Sequence, residues 1–153
     1  MEGNLAKLRN AAACAAVTLL TIACAKNQVA PVDVEYQAFD DLRADIRAVI
    51  DDPAREEEAI RIVNVLQEDL AALRTRIEAR KRRTRELNAD YDVTQAELEA
   101  FLENVATEVY ENHFRVAETH RALMSTITAQ ERDAIARAHT KAMKAAITTI
   151  QSI

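Results

Sequence analysis

Apolar residues recur every three or four positions along most of this chain, and the stripes break where helix-terminating chemistry is concentrated. Phe39, Leu42, Ile46 and Val49 predict a first helix over 33–50. Asp51-Asp52-Pro53 supplies a stop and a restart, with Asp52 suited to the N-cap and Pro53 to the first helical position, where its missing N–H costs nothing. The second helix is long, 53–87, with Val63, Leu66, Leu70, Leu73 and Ile77 forming a seam for antiparallel packing. Glu56, Glu57 and Glu58 fall in its first turns, where the helix dipole favours anions.

Residues 88–93 break the pattern, and Thr94 with Glu97 three residues on reads as a capping box opening a third helix. Its stripe is Leu98, Leu102, Val105, Val109, His113, Val116, His120 and Leu123. A second box, Thr128 with Glu131, starts the last helix, whose stripe is Ile135, His139, Ala142, Met143, Ile147 and Ile150. The fold class expected is all-α. The two central helices make an antiparallel hairpin about 50 Å long at 1.5 Å per residue. The outer two are shorter and both pack at one end of it, which gives a four-helix bundle with a projecting two-helix prong.

The prong carries a run of cations, Arg80-Lys81-Arg82-Arg83 with Arg85. One reading is a patch for anionic lipid or envelope polymer. The favoured one is ion pairing across the hairpin, with Arg85 level with Glu97 and Arg83 level with Glu99, each exposed pair worth ~0–1 kcal/mol.

The head of the chain follows a different rule. Residues 11–23 form an apolar run behind a short segment in which Lys7 and Arg9 outweigh Glu2. A basic head, an apolar stretch and a small residue before the break is the layout of a secretory signal. The run is short for a permanent span, which needs ~20 apolar residues. Its end, Thr21-Ile22-Ala23-Cys24, resembles the lipobox of bacterial lipoprotein precursors. That resemblance implies a diacylglyceryl group on the Cys24 thiol, cleavage before Cys24 and acylation of the new amino terminus. The organisation expected is therefore a signal peptide over 1–23, a lipidated tether over 24–32 and a helical domain over 33–153. The location implied is the periplasmic side of a bacterial envelope, and Ala25 in the place after the cysteine tilts the address to the outer membrane.

Composition narrows the chemistry. Cys14 would leave with the signal, so the mature chain would keep only the lipidated Cys24 and have no intramolecular disulfide. The net charge of −5 opposes a nucleic-acid partner. The sole glycine, Gly3, lies in the signal. Its absence elsewhere removes phosphate-cradling loops, dinucleotide fingerprints and nucleophile elbows. No catalytic cluster stands out either, so the expectation is a protein that is not an enzyme and has no cofactor beyond the covalent lipid.

Two segments read as His-x-x-x-Met, His120 to Met124 and His139 to Met143. Residues four apart share a helical face, so imidazole and thioether can serve one ion. With the last turn centred near Thr126–Thr128, His113 comes level with His139, while His120 lies about two turns off. The candidate metal ligands are therefore His113, His139 and Met143, forming a weak divalent or cuprous site, with Glu111 as a further donor. The alternative, and the more ordinary one, is that the histidines sit at core boundaries with satisfied N–H groups while the methionines fill gaps.

The two helix starts, Val93-Thr94-Gln95-Ala96-Glu97 and Ile127-Thr128-Ala129-Gln130-Glu131, resemble the repeated Leu-Thr-x-x-Gln signature of the CpxP/Spy periplasmic family. Both copies depart from it, with Val93 or Ile127 for leucine and glutamate for the last glutamine. The resemblance implies a helical-hairpin architecture in a family of envelope-stress chaperones and metal-binding relatives. Taken together, the sequence points to an envelope lipoprotein acting as a helical binding or scaffolding module. It would touch the membrane through its lipid and a protein partner through its helices, with self-association left open. A periplasmic metal-binding or metal-sensing protein is the alternative.

Overall fold

The computed structural model describes residues 30–153, which form four α-helices and, among the described residues, no strand and no positive φ. Helix α1 spans Pro31–Val49, α2 Pro53–Ala89, α3 Gln95–Thr126 and α4 Arg132–Ser152. The first boundary differs from the sequence expectation. Pro31 does not end a tether but opens α1, because a proline at the first helical position gives up only an N–H that has no intrahelical acceptor. The apolar run over 11–23 and Cys24 lie outside the described residues; within these, no helix is long and apolar enough to cross a membrane.

Local chemistry sets the helix starts. Asp52 accepts from the backbone N–H groups of Ala54 and Arg55 at 2.9 and 3.0 Å, capping α2, with Pro53 in the first turn. Thr94 and Glu97 form both halves of a capping box at the start of α3. The Thr128–Glu131 box also forms, but in a turn that precedes α4, so the last helix begins only at Arg132.

Neighbouring helices run antiparallel. Glu35 and Arg43 of α1 meet Arg74 and Gln67 of α2, while Pro31 and Asp41 of α1 meet Thr149 and Lys141 of α4. One core joins all four helices: Phe39, Leu42 and Ile46 from α1, Val63 and Leu66 from α2, Leu123 from α3 and Ile135 from α4. Ala138, Ala142 and Ala146 form a buried ridge of small side chains on α4, which lets its axis approach the bundle closely. The core stops near Leu70 on α2 and Val116 on α3. Beyond that level the two helices have only each other, and this is the prong.

Here the expected stripe of α3 is corrected. Only Leu123 of that stripe is buried; Leu98, Leu102 and Val109 are exposed, because α1 and α4 end at the prong's base and leave nothing to cover them. The charge register shifts too. Arg83 pairs with Glu86 on its own helix at 3.3 Å and not with Glu99, which Gln95 holds at 2.6 Å. Across the hairpin, Arg76 reaches Asn112 at 2.6 Å and Arg115 reaches Asp69 at 3.7 Å. Continuation of α2 to Ala89 moves the turn outward, so Arg83 faces Phe101 in a shared groove. Arg80, Lys81, Arg82 and Arg85 join no ion pair among the described residues.

Leu70 is 3% exposed in the shared core, whereas Val105 is half-buried in the prong. Leu70→Asp is expected to cost on the order of 3 kcal/mol or more, enough to unfold the bundle. Val105→Asp should leave the bundle folded and disturb only the prong. Urea denaturation followed by circular dichroism distinguishes the two; equal losses would show that prong and bundle share one core.

Candidate functional site

The connection from α3 to α4 is built around Glu131. Its carboxylate accepts from Arg55 through both terminal nitrogens, at 2.8 and 3.1 Å, and from the backbone N–H of Thr128 at 2.7 Å. Arg55 also reaches the Thr126 carbonyl at 3.4 Å. The Arg55 guanidinium, then the Thr128 N–H, hold the Glu131 carboxyl down to about 2 from its ordinary 4.5. Sequence reading placed Glu131 as a cap; its pairing with Arg55, 76 positions away, had no local signal.

This connection decides which histidines meet. Because α4 starts at Arg132, the level of His139 falls opposite His120 and not opposite His113. The rings of His120 and His139 lie 5.0 Å apart between centroids, with planes at 49°. His113, seven residues before His120, is about 10 Å away along the helix axis. His120, which the spacing placed about two turns off, is thus the imidazole that stands beside His139, while His113 and Met143 remain as expected ligands.

His139 is 8% exposed, and its Nε2 is buried with no hydrogen-bond partner among the described residues. Burial and, to a smaller degree, the charge of His120 push its pKa below 6.5. His139 is thus a buried histidine with one ring nitrogen unpaired among the described residues. His120 is exposed, and Met124 and Met143 are half-buried against the core.

The second candidate surface is the prong. Leu98, Leu102 and Val109 fall on one face of α3, while Tyr110 and Phe114 are exposed about 100° and 140° round the same helix. Leu102, Tyr110 and Phe114 are 62%, 73% and 54% exposed. Beside them an open groove between the prong helices is lined by Arg76, Arg80, Arg83, Phe101, Val105 and Glu108. Clustered exposed apolar groups of this kind mark interaction surfaces. Compared with known protein families, curated proteins and solved structures, the chain matches none.

The Glu131 carboxylate gives a pH prediction. Its folded pKa lies below its unfolded one, so its contribution to stability is complete above about pH 4.5 and is lost as pH falls toward 2. Wild type should therefore exceed Glu131→Gln in urea stability at about pH 7, and the gap should narrow steadily below about pH 4.5. A gap independent of pH would mean that the carboxylate is not held by Arg55 in solution.

Proposed function

We propose that the chain is a lipid-anchored envelope protein that uses its two-helix prong as a binding or scaffolding surface for a protein partner on the periplasmic side. The observation that carries this reading is the row of Leu98, Leu102 and Val109 left in solvent on one face of α3, with Tyr110 and Phe114 exposed farther round the same helix. Exposing such groups opposes solubility unless something covers them. The lipobox-like segment ending at Cys24 supports the anchor.

Helix α1 begins at the base of the prong, where Thr149 bonds the Pro31 carbonyl at 2.9 Å and Arg74 holds Glu35. The prong continues about 20 Å beyond that base.

Two measurements test the proposal. Labelled palmitate should enter the wild-type protein and not Cys24→Ser; equal incorporation would end the lipoprotein reading. A photo-crosslinking residue at Leu102 should give a discrete protein adduct in living cells, one that is absent when the residue stands at the exposed bundle position Arg137. Leu98→Asp should abolish that adduct without changing the melting temperature. No adduct at Leu102, or the same adduct at both positions, would set the binding surface aside.

A further inference from the structure

Neither the binding surface nor the lipid anchor uses the contact between α3 and α4, and that contact holds the most unusual side chain of the fold. A buried imidazole nitrogen without a partner forfeits the hydrogen bond it had to water, a cost that folds ordinarily avoid. His139 Nε2 is such an atom, on a residue only 8% exposed. The nearest aromatic neighbour is another imidazole. Two imidazoles sharing one tetrahedral ion, with metal–nitrogen bonds of about 2.0 Å, hold their ring centres about 5 Å apart. The observed separation of 5.0 Å has this value.

The remaining donors are thioethers. Met124 follows His120 by four residues and Met143 follows His139 by four, so each shares a helical face with its histidine. Since α3 and α4 run antiparallel at this level, the two methionines flank the histidine pair from opposite directions along the helix axes. Both are half-buried against the core. Among the described residues no three side chains of His, Cys, Asp or Glu come together as a metal-binding group. A divalent ion finds no third imidazole or carboxylate grouped with this pair among the described residues. A soft monovalent ion is satisfied by imidazole and thioether.

We infer that His120 and His139, with the thioethers of Met124 and Met143, bind one cuprous ion at the contact of α3 and α4. His139 is the fixed, buried ligand, and the exposed His120 admits the ion from solvent and closes over it. His113 takes no part.

The test is a titration of the full chain in detergent with Cu(I) under anaerobic, reducing conditions against a chromogenic chelator. One ion per chain is expected for wild type and for His113→Ala alike. His120→Ala removes an exposed ring, so its melting temperature should hold while affinity drops at least about tenfold. Met124→Leu with Met143→Leu should weaken Cu(I) binding to a similar degree. The proposal is overturned if wild type binds no tighter than His120→Ala, if His113→Ala loses the ion, or if the methionine pair can be replaced without effect.

Discussion

The bidentate pair between Arg55 and Glu131 fixes the register on which the contact of α3 and α4 depends. Glu131 sits in the connection between those helices, and Arg55 stands in the first turn of α2. One carboxylate therefore closes the Thr128 turn, receives the guanidinium and ties the end of α3 to the start of α2. With the connection held there, α4 can begin only at Arg132. Everything above it follows at 1.5 Å per residue. Ile135 enters the core, His139 meets His120, and Thr149 arrives beside Pro31.

A second buried ion pair closes the bundle at its far end. Glu35 is 1% exposed, and Arg74 donates to both its carboxylate oxygens, at 2.5 and 2.6 Å. A charge so buried is tolerable only with its partner in place, so the pair locks the start of α1 against α2 at one level. That level is the base of the prong. Past it, α2 and α3 pack as an isolated helix pair, which can bury one seam but not a whole stripe. Leu98, Leu102 and Val109 remain in water for that reason, and among the described residues Arg80, Lys81, Arg82 and Arg85 have no ion-pair partners across the hairpin. The prong is thus a consequence of unequal helix lengths, and the surface it presents is the part of the fold still open to association.

Much of the architecture was legible in local pattern. The stripe of Phe39, Leu42 and Ile46, the cap at Asp52 with Pro53, and the Thr94–Glu97 box each rest on neighbours within four residues, and each appears in the structure. Even Glu35 could have been found, since it lies four residues before Phe39 on the buried stripe; a carboxylate there demands a cation from another helix. The facing of helix on helix was harder to read. Arg83 was placed opposite Glu99 and His113 opposite His139, and both placements assumed turns centred earlier along the chain than those that form. A displacement of two or three residues in a connection rotates or slides every later residue relative to its neighbour, and turn composition does not specify it to that accuracy.

The sequence by itself determined that the described chain is helical, where its two long helices begin and which faces seek a core. Those properties arise from backbone caps and from a period of 3.6 residues, both short-range. Only the tertiary structure decided which side chains meet: His120 with His139, Arg55 with Glu131, Arg74 with Glu35. It also decided which apolar residues stay uncovered, because burial on α3 depends on whether α1 and α4 reach that level, not on the residues of α3 themselves. Contacts between helices are set by the sum of connection lengths and long-range pairs, and no window along the chain contains both partners.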